Sequence, residues 1–224
     1  MKKLIVCVFC VSALIGCGGE TKTIEVIKEV EVIKYVEVDK TPKYINKCDL
    51  PTDKDYILVA GQSNAVYPDW SYFEDLTGYT VLNIAVEGKG VEWLIDNYTV
   101  KAKDCIFENK IDKILFVHGE YDSFYETPVN DYVEMVEEYR DIINPEAKLF
   151  ISTVGYGVGK DKVRFDNLRN AVLDESEINN NWIISYNESQ YFDDWGMMKD
   201  WIHYTDEGNQ LMMEAFANSL SEVE

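Results

Sequence analysis

Basic residues are scarce in this chain. Lysine and arginine together number 21 against 41 aspartates and glutamates, which gives a formal net charge of −20 over 224 residues. A chain of that charge repels phosphate backbones, and no local cluster of basic residues offsets the repulsion, so nucleic-acid binding is not an expected function. The same acidity disfavours polyanionic substrates and is compatible with neutral ones.

The N-terminal apolar run, Leu4–Ile15, is too short to span a bilayer as a permanent helix. It follows Lys2 and Lys3 and leads to the sequence LIGC, which ends at Cys17. This order predicts a signal peptide over residues 1–16. The LIGC stretch resembles the bacterial lipobox, in which the cysteine is lipidated and becomes the first mature residue; a simple cleaved signal peptide is the alternative. Either interpretation places the mature protein outside the cytoplasmic membrane.

Few cysteines remain once the signal peptide is set aside. Cys7 and Cys10 belong to the signal and Cys17 would carry lipid, so Cys48 and Cys105 are left as thiols. An oxidising compartment favours a disulfide between them, with two separate buried thiols as the alternative. Such a bridge would stabilise the fold by about 4 kcal/mol on the chain-entropy model.

Residues 17–47 are interpreted as a lipidated cysteine followed by a tether. The sequence VIKEVE at 26–31 is repeated almost unchanged as VIKYVE at 32–37. The apolar residues of this segment fall mainly at even-numbered positions, and such alternation favours a strand, although the Glu and Lys content also tolerates a helix. We expect a spacer between membrane and domain, with self-association through the repeat as the alternative. Gly18, rather than an aspartate, after the lipidated cysteine favours an outer membrane if the cell has one.

Residues 48–224 form the predicted folded domain, in which short apolar runs alternate with segments of helical periodicity. Such alternation predicts parallel strands that are covered by helices on both faces. The expected architecture is a three-layer, doubly wound α/β fold with a five-stranded, mainly parallel sheet. The predicted strands are 56–60, 80–86, 113–119, 148–154 and 182–186, and the clearest predicted helices are 129–143, 161–175 and 205–220.

A serine follows the first predicted strand. The stretch ILVAGQSNAV, residues 57–66, places Gly61 and Ser63 at the turn where the strand ends, and the glycine lets the backbone bend there. Ligands bind at this end of the strands in doubly wound sheets. The stretch is not the Gly-x-Ser-x-Gly nucleophile elbow, and a serine in this position is most often a helix cap. Ser63 is therefore a candidate nucleophile only if a base is available.

A candidate base lies near the C-terminus. The sequence DWIHYTDEGNQ holds Asp200 and His203 three residues apart, just before the last predicted helix. On a turn, this spacing lets the carboxylate accept from one imidazole nitrogen while the other acts as a general base. A serine nucleophile requires that arrangement. The alternative is an aspartate at a helix start beside a surface histidine.

Two glycine turns follow the second and third strands. Asn83 and Gly88 lie in NIAVEGKG, and Gly119 and Asp122 lie in HGEYD. Backbone N–H groups at such turns can hold an oxyanion, although each turn alone has a simple structural explanation.

These four blocks, in their order along the chain, resemble the SGNH (GDSL-like) hydrolase superfamily. The sequence Gly-Gln-Ser-Asn resembles its sialate O-acetylesterase-like branch. The resemblance spans about residues 55–212. It implies Ser63 as nucleophile, His203 as base and Asp200 as the residue that orients it, with oxyanion N–H groups from Ser63 and Gly88. It also implies that no metal or other cofactor is required.

The third block departs from the family pattern. The superfamily has Gly-x-Asn-Asp and the branch often has Gln-Gly-Glu-x-Asp, whereas this chain has His118-Gly119-Glu120-Tyr121-Asp122. Tyr121 and His118 replace the usual Asn and Gln, and either can still donate a hydrogen bond to an oxyanion. The alternation of His118, Glu120 and Asp122 along a strand end also raises the alternative of a metal site.

The expected function is therefore an extracytoplasmic serine esterase that removes acetyl or other small acyl groups, with carbohydrate as the expected substrate. A glycan O-acyltransferase with the same site and a tethered carbohydrate-binding module with a vestigial site are the alternatives. Aromatic residues near the blocks could contact sugar rings or lie in the core. They are Trp70, Tyr72, Phe73, Trp195 and Trp201.

Overall fold

The structure is a computed structural model that describes residues 54–99, 111–155, 162–187, 197–200 and 202–223. The predicted signal peptide and tether lie outside these ranges, as do the candidate disulfide residues Cys48 and Cys105. Trp195 and Trp201 also lie outside them.

Strands and helices alternate along the described chain. The strands are β1 (Tyr56–Gly61), β2 (Thr80–Asn83), β3 (Lys113–Val117), β4 (Lys148–Ser152) and β5 (Trp182–Tyr186). The helices are α1 (Ser63–Val66), α2 (Ser71–Thr77), α3 (Val91–Leu94), α4 (Glu120–Phe124), α5 (Val129–Ile143), α6 (Lys162–Ile178) and α7 (Asp206–Val223). A π-helical turn, Ile95–Thr99, continues α3.

The five strands form one parallel sheet in the order β2-β1-β3-β4-β5. The chain moves to one side of β1 for β2 and to the other side for β3, so the strand order reverses between β1 and β3. Ligands bind at the carboxyl ends of the strands at such a reversal. Ser63 follows β1 and Glu120 follows β3, so both belong to the edge where a site is expected.

The sheet buries both of its faces. Along β1, Ile57 and Val59 pack into one apolar cluster and Leu58 and Ala60 into the other, because successive side chains of a strand point to opposite faces. Helices α3, α5 and α6 cover the Leu58 face, whereas α1, α2 and α7 cover the Ile57 face. This burial on both sides explains why the strands are continuous apolar runs.

The three-layer α/β fold predicted from the sequence is confirmed. The predicted helix 129–143 matches α5 at both ends, and α7 begins one residue later than predicted. Strand β2 ends at Asn83, earlier than predicted, but Ile84 N–H still donates to Val59 O at 2.9 Å and Val86 N–H to Gly61 O at 2.9 Å. Within the described ranges, no helix has the length and apolarity that crossing a membrane requires.

Candidate active site

The end of β1 is pressed against the end of β3. Gly61 has φ +147°, and a Cβ at this position would lie 2.0 Å from the carbonyl oxygen of Val117. The N–H of Gln62 donates to that same oxygen at 3.1 Å. Only glycine permits so close a backbone approach. The chain then turns directly into α1, which places Ser63 over the carboxyl edge of the sheet with 7% of its surface exposed.

The candidate base lies on a tight loop before α7. The N–H of Lys199 donates to the carbonyl oxygen of His203 at 2.8 Å, which closes the loop. Inside it, one carboxylate oxygen of Asp200, Oδ1, accepts the N–H groups of Ile202 and His203 at 2.8 Å each. An aspartate that accepts from the backbone a few residues ahead is a common way to fix such a loop. The other oxygen of Asp200 is left for the imidazole.

Ser63, His203 and Asp200 form one chain of close polar contacts. Asp200 Oδ2 lies 2.8 Å from His203 Nδ1, and His203 Nε2 lies 3.1 Å from Ser63 Oγ. Burial raises the pKa of Asp200, but its hydrogen bonds from His203 and Ile202 outweigh that effect and hold the pKa below its ordinary value. Asp200 is therefore an ionised acceptor at neutral pH. It favours the imidazole tautomer whose Nε2 can take a proton from Ser63.

The His203 imidazole is partly exposed to solvent. His203 is 30% and Asp200 44% exposed as side chains. The ring of Tyr67 meets that of His203 edge to face, with 5.4 Å between centroids. The hydroxyl group of Tyr67 donates a hydrogen bond to the carboxylate of Glu87. Tyr67 therefore packs beside the imidazole whose orientation the contact with Asp200 sets.

A cavity of about 390 Å³, here called the serine cavity, opens at Ser63. Gly88 and Tyr121, two of the predicted oxyanion donors, line it together with His203 and Ile202. Gly88 has φ +66°, a conformation that side-chain-bearing residues rarely adopt, although no atom would obstruct a Cβ there. The backbone N–H of Tyr121 donates to Gln62 Oε1 at 3.0 Å, so only its side chain is left to act in the cavity.

The structure corrects the expectation of an oxyanion donor at His118. Its side chain is fully buried and does not line the serine cavity. Nε2 lies 3.0 Å from the carbonyl oxygen of Lys89, and Nδ1 lies 3.1 Å from a carboxylate oxygen of Asp122. Burial lowers the pKa of His118, against the opposing effect of Asp122. His118 therefore fixes the loop after Gly88 from behind the cavity.

The metal-site alternative at the third block assumed that His118, Glu120 and Asp122 alternate along a strand, and this assumption is wrong. Strand β3 ends at Val117 and Gly119 adopts φ +120°, so the following residues turn into α4 rather than alternate along a strand. His118 and Asp122 face each other, whereas Glu120 contacts a different set of side chains. Among the described residues, no cluster of three or more potential ligands is arranged to hold a metal ion.

Three polar side chains to which the sequence analysis gave no role beside the serine surround Ser63. The carboxylate of Glu120, almost wholly buried, accepts hydrogen bonds from the amides of Gln62 and Asn64, which flank Ser63 in the chain. The amide of Asn64 also donates to the carbonyl oxygen of Ile202, next to His203, at 3.0 Å. Glu120 and Asn64 thus join the nucleophile turn to the loop of the base. The sequences GQSN (61–64) and GE (119–120) were visible in the chain, but only the fold places these residues beside each other.

We expect Glu120→Gln to lower both kcat and the free energy of unfolding more than its small change in shape implies. Burial raises the pKa of Glu120, and the amide donors of Gln62 and Asn64 oppose that rise. A glutamine would present an NH₂ group to one of those donors, leaving buried polar groups unpaired at about 1–3 kcal/mol. Urea unfolding and kcat on p-nitrophenyl acetate would measure both effects. Glu138→Gln, at an exposed position of α5, is the control; equal kcat in the two variants would contradict a positioning role.

Of the three described aromatic residues near the blocks, two belong to the core. Trp70 and Phe73 are buried in the apolar cluster under α2 and α7, and Trp70 donates to the carbonyl oxygen of Ala65 at 2.8 Å. Tyr72 donates to Glu214 on α7 at 2.6 Å. The aromatics of the serine cavity instead follow β3, at Tyr121, Phe124 and Tyr125.

Comparison of the fold with solved structures identifies esterases as its neighbours. A protein of the G-D-S-L lipolytic family from Desulfitobacterium hafniense DCB-2 superposes with a TM-score of 0.60 at 13% identity, over 74% of this chain and 99% of that one. An acetylxylan esterase from Geobacillus stearothermophilus gives 0.59 at 15% identity, over 74% and 94%. A psychrotrophic esterase from a Pseudoalteromonas species gives 0.59 at 12% identity, over 76% and 98%.

These likenesses extend over nearly the whole length of each neighbour and show that this chain shares their fold. In sequence, no protein-family profile and no curated protein matches the chain. The shared property is therefore the arrangement of sheet and helices, on which this chain places its own serine, histidine and aspartate.

Proposed function

We propose that this protein is a serine esterase that hydrolyses acetyl or other small acyl esters through an acyl-enzyme. The observation that carries the proposal is the contact chain from Asp200 through His203 to Ser63, at 2.8 and 3.1 Å. Its position at the carboxyl edge between β1 and β3 and the esterases among the structural neighbours support the same conclusion.

The geometry supports a two-step reaction. Ser63 Oγ attacks the ester carbonyl carbon while His203 Nε2 takes the hydroxyl proton, and Asp200 stabilises the imidazolium that forms. His203 then gives this proton to the departing alcohol oxygen as the acyl–oxygen bond breaks. A water molecule, deprotonated by His203, then attacks the acyl carbon; the bond from that carbon to Ser63 Oγ breaks, the acid leaves, and His203 returns the proton to Oγ. Backbone N–H groups of Ser63 and Gly88 are the proposed donors to the oxyanion.

We propose carbohydrate as the carrier of the acyl group. Three aromatic side chains line the serine cavity, and the net charge of −20 favours a neutral substrate over an acidic one. One structural neighbour is named for its action on acetylated xylan.

The mature protein is proposed to be anchored by lipid at Cys17 outside the cytoplasmic membrane, because LIGC follows a basic start and a short apolar run. Two lipid signals or more give stable anchoring. Incorporation of labelled palmitate that persists in Cys17→Ala would contradict lipidation at this residue.

The proposed function is tested by acetate release from p-nitrophenyl acetate, acetylated xylan and O-acetylated sialic acid. We expect hydrolysis of the aryl ester and of at least one glycan ester, and covalent labelling of one serine by an alkyl fluorophosphonate. A mass shift on a peptide other than that of Ser63 would overturn the assignment. Added alcohol acceptors distinguish hydrolysis from acyl transfer, because transfer yields a new ester in place of free acetate.

A further inference from the structure

Two cavities share one aromatic wall. Beside the serine cavity lies a second cavity of about 620 Å³, and Tyr121 and Tyr125 line both. The two tyrosine rings pack against each other with centroids 4.3 Å apart and planes inclined by 32°. Tyr125 is 68% exposed, unusually open for a large aromatic side chain. An ester whose acyl group reaches Ser63 therefore has this tyrosine pair beside its alcohol half.

The turn that carries Tyr125 is held in a strained conformation. Glu126 has φ +60°, which costs a residue other than glycine about 1–3 kcal/mol. Thr127 fixes the turn, because its N–H donates to Asp122 O at 2.9 Å and its hydroxyl to Asp122 Oδ1 at 3.2 Å. An ion pair between Glu126 and Arg164 on α6 secures it further. Strain of this kind persists where the surrounding structure fixes it, so these contacts hold the backbone that carries Tyr125.

The second cavity combines apolar faces with a polar rim. Trp93 and Met135 supply apolar surface, and the ammonium group of Lys89 lies 5.0 Å above the indole of Trp93. Aromatic faces beside a few polar groups are typical of small-molecule sites and suit a ring that has apolar C–H faces and hydroxyl edges.

The charges at this rim restrict the ligand. Among the described residues, Glu92, Glu126 and Asp131 line the cavity with one cation, Lys89. Since Arg164 pairs with Glu126, Glu92 and Asp131 carry the excess negative charge. Carboxylates accept hydrogen bonds from hydroxyl groups but repel other carboxylates. A neutral sugar therefore fits this rim better than a uronic or sialic acid.

We propose that the second cavity binds the alcohol half of the ester as a neutral sugar ring, and that Tyr125 is the residue that determines this specificity. The proposal rests on the proposed esterase function and adds to it a place for the glycan and the residue that determines its specificity.

The first test compares kcat/KM on acetylated xylotriose with kcat/KM on p-nitrophenyl acetate. We expect Tyr125→Ala to lower the ratio of the two about tenfold, because the aromatic face that packs on the sugar is lost. Tyr125→Phe keeps that face and should keep the ratio. Ile178→Ala, which truncates an exposed apolar residue that lines neither cavity, is the control. A ratio in Tyr125→Ala equal to that of the control would overturn the proposal.

A second measurement does not depend on hydrolysis. Calorimetric binding of unacetylated xylotriose to Ser63→Ala should weaken about tenfold when Tyr125→Ala is added. Tyr125-dependent binding by a protein that hydrolyses no ester would overturn the esterase and retain the sugar site. Ester hydrolysis together with xylotriose binding that does not weaken in Tyr125→Ala would overturn the sugar site and retain the esterase. Faster hydrolysis of an acetylated xylo-oligosaccharide with a glucuronic acid branch than of its neutral counterpart would overturn the preference for uncharged rings.

Discussion

Ser63→Ala and His203→Ala are each expected to lower kcat on p-nitrophenyl acetate by about 10⁴-fold or more. The first removes the oxygen proposed to form the acyl-enzyme, and the second removes the only imidazole in contact with it, since His118 is buried elsewhere. Because the two groups act as one unit, the double variant should be no slower than either single variant. Steady-state kinetics with active-site titration would measure the losses.

Asp200→Asn should produce a loss of similar size for a different reason. If the asparagine keeps its oxygen towards the N–H groups of Ile202 and His203, its NH₂ group faces His203 Nδ1. The imidazole must then accept at Nδ1 and carry its proton on Nε2, where it cannot take one from Ser63. Asp206→Asn, on the first turn of α7, is the matched control. Wild-type kcat in Asp200→Asn would show that another group orients the base.

Gly61→Ala is expected to destabilise the protein by at least about 3 kcal/mol, or to prevent folding. The new methyl group would meet the carbonyl oxygen of Val117 at 2.0 Å, and that oxygen belongs to a rigid central strand. The backbone at position 61 would also be forced to hold φ +147° with a side chain. Urea unfolding measured by circular dichroism would give the free energy of unfolding.

Gly78→Ala separates the two causes of that loss. Gly78 ends α2 with φ +77°, and nothing lies within 4 Å of where its Cβ would be. This substitution has the unfavourable backbone conformation without the collision, so it should cost only about 1–2 kcal/mol. Equal losses at the two positions would mean that β1 and β3 move apart readily, contrary to the close contact described above.

The fold was predictable because its strands are short apolar runs separated by helical segments. Helix α5 could be placed at both ends, since Pro128 precedes it and Asn144 ends it. The exact end of β2 could not be predicted, because Asn83 turns its side chain back to Ala65 and Ala85 while the backbone pairing continues. Such a side-chain contact depends on α1, which lies elsewhere in the sequence.

At the site, local spacing identified the loop of Asp200 and His203, but contacts between distant segments decided the rest. Nothing near His118 in the sequence shows that its ring lies under the loop of Lys89. Likewise, Glu120 acquires its partners Gln62 and Asn64 only because β1 and β3 are neighbours in the sheet. Sequence alone could name candidate donors, whereas the packing decided which of them reach the cavity.

The contact between Ser63 and His203 joins residues 140 positions apart, and that between Asn64 and Ile202 spans 138. At translation speeds of about 5–20 residues per second, the serine precedes its base by roughly 7–28 s. A growing chain that has reached only β5 thus carries an inert hydroxyl. On the proposed function, hydrolytic competence requires the loop before α7 to meet α1, so it cannot precede the synthesis of that loop. Enzymatic turnover would consequently report completed folding of the domain from its first strand to its last helix.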